Sequence, residues 1–217
     1  AAALPLTGLT AWEGLFEHLE LKAFDPANRG KRILVVPGAG GVGSLVIQLA
    51  AKLLGLYVIA TASRPESIEH CKKLGAHLVI NHREPLKAQL DAAGIDGVEY
   101  IYNGVFLSVY TEQYAQVIKP FGKIVSILES IEPVTLRGLM LKRVTLTWEL
   151  MFTRALFNED PIQQHFILEN IAQLVDDQVL QTTVSSILPY NVENMRKAHE
   201  IMDAEAAVGK IVLSKEH

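Results

Sequence analysis

The chain has 217 residues, of which 49% are hydrophobic and 20% charged, with a net charge of −4. That length suits one large α/β domain or a domain with an appendage, and the composition is that of a folded chain with a substantial core. The acidic balance offers no basic surface for nucleic acid, and no apolar run approaches the roughly 18 residues of a membrane span. The amino end, AAALPLTGLTAWEG, lacks the positive start and unbroken apolar core of a secretory leader, so a cytoplasmic setting is expected.

The first strong signal in chain order is ILVVPGAGGVG at residues 33–43. Ile33 to Val36 form an uninterrupted β-branched run, as in a central parallel strand buried on both faces. After Pro37 come Gly38, Gly40 and Gly43 in the order G-x-G-x-x-G. The first glycine permits a tight turn and the second a close approach to a dinucleotide pyrophosphate. The third allows close helix–strand packing. The backbone N–H groups of Gly41 and Val42, at the positive end of the helix that follows, would face the phosphates. Val42, Leu45, Val46, Leu49, Ala50 and Leu53 recur at helical spacing, Gly55 ends the helix, and LYVIA at residues 56–60 reads as a second buried strand. The other reading of this βαβ unit is a glycine turn in an α/β protein that binds no nucleotide.

At the end of the second strand the chain chooses between cofactors. NAD-binding units place Asp or Glu there, about 20 residues past the glycines, to hold the ribose 2′-OH. This chain has Thr61, Ala62, Ser63, Arg64 and Pro65, with no carboxylate before Glu66. A hydroxyl and a guanidinium suit a 2′-phosphate, so NADP(H) is expected over NAD(H). Alternatively, Ser63 caps a helix entered at Pro65 and Arg64 is a solvated surface charge.

Helices and strands then alternate. Residues 65–74 read as a helix ended by Gly75, 77–81 as a strand, 84–93 as a short helix and 98–102 as a fourth strand. A helix marked by Tyr110, Tyr114, Val117 and Ile118 stops before Pro120, and a fifth strand covers 122–128. This rhythm predicts an α/β fold, a doubly wound parallel (Rossmann) sheet with helices on both faces. Ligands in such sheets bind outside the carboxyl ends of the strands. Ser63, Arg64, Asn81, His82, Asn103, Gly104 and Leu128 then share one rim with Gly38 to Gly43. In residues 143–150, Val144, Leu146, Trp148 and Leu150 alternate with polar residues, as in an edge strand. Pairing with a second copy across a two-fold axis is expected for this edge, the alternative being a helix that covers it within one chain. Beyond an acidic break at 158–161, a helix around 167–175, a strand at 182–188, a helix at 192–203 and a strand at 209–213 complete the pattern.

Cys71 stands alone, so the chain can build no disulfide or thiolate metal cluster of its own. The histidines fall in no H-x-x-x-H or H-E-x-x-H grouping. His18, His70, His77, His165 and His199 read as surface or satisfied structural residues, and only His82 is retained as a site candidate.

Taken together, VPGAGGVGSLVIQLAAKLLG, ATASRPESIEHCKKLGA, WELMFTR and VGKIVL, in this order, resemble the cofactor-binding half of medium-chain dehydrogenase/reductases. The likeness is to the zinc-free, quinone-oxidoreductase-like side, including the group called zinc-type alcohol dehydrogenase-like. It covers nearly the whole chain. It implies residues 1–24 as an entering helix at the junction with an N-terminal catalytic domain, and 25–217 as the dinucleotide-binding domain. The family's catalytic domain would then precede Ala1, and redox activity would need it. A cysteine zinc ligand near the entering helix of zinc-dependent relatives has no counterpart in residues 1–7, so no zinc is expected in this chain. By the same resemblance, His82 would lie beside the adenosine ribose phosphate, Asn103 and Gly104 at the nicotinamide ribose, and Leu128 against the carboxamide. Arg154 would approach the active-site cleft. The implied activity is hydride transfer between NADPH and a small-molecule substrate, a quinone, enal or other carbonyl compound, with no proton donor identified. The alternative is a non-catalytic NADP(H)-sensing dimerisation module.

Overall fold

The computed structural model describes residues 2–204 and 207–215. Its central sheet follows from the apolar runs. The strands β1 (Arg32–Val36), β2 (Tyr57–Thr61), β3 (Leu78–Ile80), β4 (Val98–Asn103), β5 (Ile118–Ser126) and β6 (Thr145–Trp148) are all parallel, in the order β3-β2-β1-β4-β5-β6. Strand order reverses between β1 and β4, which opens a crevice at their carboxyl ends. This is the doubly wound α/β sheet that the sequence predicts.

The two faces of β1 feed two cores by simple alternation. Ile33 and Val35 point into one with α1 (Pro5–Trp12), α2 (Gly41–Lys52) and α3 (Pro65–Leu74). Leu34 and Val36 point into the other with α4 (Leu86–Ala92), α5 (Leu107–Val117) and the short α6 (Arg137–Leu141). Beyond β6 come α7 (Thr153–Phe157) and α8 (Ile162–Asp176), and Ile167 and Ile171 of α8 bury Leu9 of α1. The last strands, β7 (Val184–Pro189) and β8 (Lys210–Ser214), form a separate two-stranded parallel sheet joined by α9 (Val192–Asp203).

Two details depart from the sequence reading. β5 begins at Ile118 rather than after Pro120. Pairing passes from Val98↔Ile118 to Tyr100↔Lys123, so residues 119–122 loop out opposite Glu99 and the ladder needs no N–H from the proline. At the edge, the alternation is inverted at its end: Glu149 is buried, whereas Trp148 and Leu150 are half exposed. The cause is local, because α1 continues as a π-helical turn over Glu13–His18 that carries His18 to within 2.9 Å of the Glu149 carboxylate.

Candidate cofactor site

The carboxyl ends of the strands are stitched into one rim by backbone hydrogen bonds. Ala62 N–H donates to Ile80, Gly38 N–H to Thr61, Gly104 N–H to Val36, Ile127 N–H to Asn103 and Glu149 N–H to Ser126, at 2.5–3.0 Å. The ends of β3 through β6 are therefore fixed relative to one another. Gly38, Gly104 and the segments carrying Ser63 and Leu128 sit along this line, as the sequence implies.

The glycine loop is shaped by what a side chain would meet. At Gly43 a Cβ would stand 2.2 Å from the Pro37 carbonyl oxygen and 2.7 Å from that of Gly38, so the start of α2 can sit this close to β1 only without one. At Gly40 a Cβ would meet nothing within 4 Å. The loop is thus closed toward the sheet and open at Gly40, which caps α2. The first amides of this 12-residue helix have no acceptor within it and carry its positive end. This combination fits a pyrophosphate.

The loop has a neighbour that the sequence reading did not name. Gly209 N–H donates to the Ala39 carbonyl at 2.8 Å, which pins the start of β8 to the loop. The Lys210 stem then crosses Gly41, where a Cβ would meet its Cδ at 2.7 Å. A cleft of about 580 Å³ lies between Gly40, Gly41 and Val42 on one side and Thr7, His199 and Lys210 on others. Among its described lining residues, Lys210 is the one lysine or arginine. A lysine beginning a terminal strand carries no local signal for this, since the contact joins residues about 170 apart in a chain that must first fold.

Beyond β2, the helix α3 is capped by Arg64 rather than by Ser63. The Ser67 hydroxyl donates to the Arg64 carbonyl at 2.8 Å and accepts its N–H at 3.2 Å, so a residue three positions into the helix fixes the Arg64 backbone. The guanidinium Nε lies 2.9 Å from the Glu66 carboxylate. Ser63 and His82 are half-buried, and the His82 carbonyl accepts a hydrogen bond from the Tyr110 hydroxyl at 2.8 Å.

The residues expected around the nicotinamide and the cleft differ in setting. The Asn103 amide is wholly buried; it donates to the Val105 carbonyl and the Ser126 hydroxyl and accepts from the Tyr114 hydroxyl at 2.6 Å. It orders the ends of β4 and β5 instead of offering its side chain to a ribose. Leu128 is 39% exposed at the rim, where a cofactor could reach it, and its carbonyl accepts from Ser126 at 2.8 Å. Arg154, expected at the cleft, is held by Glu13 (3.2 Å), Glu17 (2.8 Å) and Asp160 (3.2 Å).

That arginine belongs to a second polar nook. Its members come from the π-helical turn (Glu13, Glu17, His18), the end of β6 (Thr147, Glu149) and α7 with the loop after it (Arg154, Asp160). The Glu13 and Glu149 side chains are 5% and 2% exposed. His18 bridges Glu149 at 2.9 Å and Thr147 at 3.3 Å, while Glu149 Oε1 has no hydrogen-bond partner among the described residues. Burial, reinforced by the Glu149 charge, pushes the Glu13 carboxyl up to about 7. The hydrogen bond to Glu149 raises His18 above its usual value.

Among the described residues, no group of three His, Cys, Asp or Glu side chains could hold a metal ion. Burial pushes the Cys71 thiol up to about 12, which keeps it protonated. No helix among them is long and apolar enough to cross a membrane.

The profile of the zinc-binding dehydrogenases matches residues 74–213. The chain belongs to that family. A zinc-type alcohol dehydrogenase-like protein of Staphylococcus aureus is 38% identical over 99% of this chain, and the chain spans 64% of that protein's length. A solved structure from Rhizobium etli, described as a zinc-dependent alcohol dehydrogenase, superposes with a TM-score of 0.89 at 36% identity, covering all of this chain and 63% of that one. An NADPH-dependent alkenal/one oxidoreductase of Arabidopsis thaliana is 36% identical over 66% of this chain and 35% of its own length. Membership in this family fits the resemblance that the glycine loop and WELMFTR carry in the sequence.

Proposed function

We propose that this chain binds NADP(H) along the strand-end rim and serves an oxidoreductase that reduces an enone, enal or quinone. The observation that carries the reading is the glycine loop: closed to any Cβ at Gly43, open at Gly40, and backed by the first amides of α2. The NADPH dependence and alkenal/one substrates named for the Arabidopsis relative support the choice of cofactor and acceptor class.

Within this reading, Gly41 and Val42 offer N–H groups to the pyrophosphate and Lys210 supplies the opposite charge across the cleft. Arg64, with Ser63 beside it, takes the 2′-phosphate. Gly104, bonded to Val36 at the switch point, borders the nicotinamide end, and Asn103 holds the strands there in register. When bound, the nicotinamide supplies hydride; the chain's own part is to bind it and fix its direction.

The test is titration calorimetry of NADPH and NADH against the protein and Arg64→Ala. Loss of the guanidinium should weaken NADPH by about 1–3 kcal/mol, the range for a charged hydrogen-bond partner, and leave NADH nearly unchanged. Equal weakening of both would make Arg64 structural. NADPH binding without turnover of any enone or quinone, in a protein that also carries the family's N-terminal catalytic domain, would favour the redox-sensing reading instead.

We further infer that β6 pairs with β6 of a second copy, which would cover Trp148 and Leu150, about half exposed in one chain. Sedimentation equilibrium returning a monomer at micromolar concentration would dismiss this.

A further inference from the structure

The structure brings a carboxylate to the residue on which the cofactor choice rests. Arg64 caps α3 and Glu66 stands in that helix's first turn, with the carboxylate 2.9 Å from the guanidinium Nε. The Arg64 backbone is fixed by both hydrogen bonds to Ser67. Its side chain is 31% exposed, whereas that of Glu66 is 61% exposed. Both backbones are held at the start of α3, and the carboxylate is the more exposed member of the pair.

We propose that Glu66 is a built-in competitor for the 2′-phosphate site, occupying the guanidinium when no phosphate is present and lowering affinity for NADPH selectively. This rests on the reading of Arg64 given above. An exposed ion pair is weak, and a phosphate bearing more than one negative charge can take both guanidinium edges, so NADPH displaces Glu66. The displaced carboxylate does not leave the region, because it is favoured at the positive end of α3 and its backbone is fixed in the first turn. It continues to oppose the incoming charge. NADH brings no phosphate to this position, so the pair can stay closed and its affinity is indifferent to Glu66. Glu66 thus narrows the gap between the two cofactors.

The experiment is calorimetric titration of both cofactors into four forms of the protein: unaltered, Glu66→Gln, Arg64→Ala, and the double variant. Glu66→Gln should bind NADPH about two- to fivefold tighter, the fold-change matching the strength of one exposed pair, with NADH unchanged. In the Arg64→Ala background the same substitution should give a markedly smaller gain. Unchanged NADPH affinity in Glu66→Gln, or an equal gain for NADH, overturns the competition even where Arg64→Ala selectively loses NADPH. If Arg64→Ala loses neither cofactor, the cofactor reading itself falls. Thermal unfolding of each form checks the fold, which an exposed pair leaves in place.

Discussion

The glycine loop and the carboxylate nook are two solutions to handling charge at one end of the same sheet. The loop does it with backbone: amides at the start of α2, no side chain at Gly40 or Gly43, and one lysine stem laid across Gly41. The nook does it with side chains, packing Glu13 and Glu149 beneath the end of β6 with His18 and Arg154 as partners. The first is preorganised and electrically one-sided, suited to an anion from outside. The second is internally matched and depends on pH, since two buried carboxylates cannot both ionise without cost. Shape should therefore rule the loop, and protons the nook.

The largest expected effect comes from breaking the shape. Gly43→Ala places a Cβ 2.2 Å from the Pro37 oxygen, a backbone atom that cannot swing aside. Forced packing of this kind in a tight core costs about 3 kcal/mol at the upper end of the usual range. Thermal unfolding should fall accordingly and NADPH binding should be lost. Gly40→Ala, facing open space, should unfold within a few degrees of the unaltered protein yet bind NADPH more weakly. Similar melting points for the two variants would mean that the loop is not closed by contact with β1.

The same contrast explains what could be read in advance. The loop lies within eleven residues of sequence, and its glycines are spaced by local geometry, so strand, turn, helix and crevice were all legible. Arg64 was legible as a cation at the end of β2. Its capping by Ser67 and its pair with Glu66 were not, because moving the capping hydroxyl from Ser63 to Ser67 leaves the pattern unchanged. The nook joins residues 13–18 to 147–160 and depends on a π-helical turn that no periodicity announces. Glu149 falls among the polar residues of an alternating edge strand, and Glu13 carries no signal of its own. Asn103 was placed correctly at the rim, but its side-chain partners come from α5 and β5, and only the assembled sheet decides whether an amide faces ligand or core.

The smaller expected effect tests the protons. Glu13 titrates near 7 in the folded chain, against 4.5 for an ordinary glutamate, chiefly through burial and then through Glu149, with the Arg154 hydrogen bond opposing. His18 is raised above 6.5 by Glu149. Glu17 adds to both shifts. For both groups the folded state holds the proton more tightly than the unfolded chain. Between pH 4.5 and the raised folded values it therefore carries more protons, and stability falls as pH rises. The His18 contribution is complete below its unfolded value and lost as pH climbs through the folded one. Together they should remove about 1–2 kcal/mol of unfolding free energy between pH 5 and 8, measured by urea titration at fixed ionic strength. Glu13→Gln keeps the side chain's shape and an oxygen for Arg154 but cannot ionise. Its slope over that window should be shallower, and at pH 8 it should match or exceed the unaltered protein. A variant with an undiminished slope would show that Glu13 is ionised at neutral pH, with Arg154 rather than burial governing its charge.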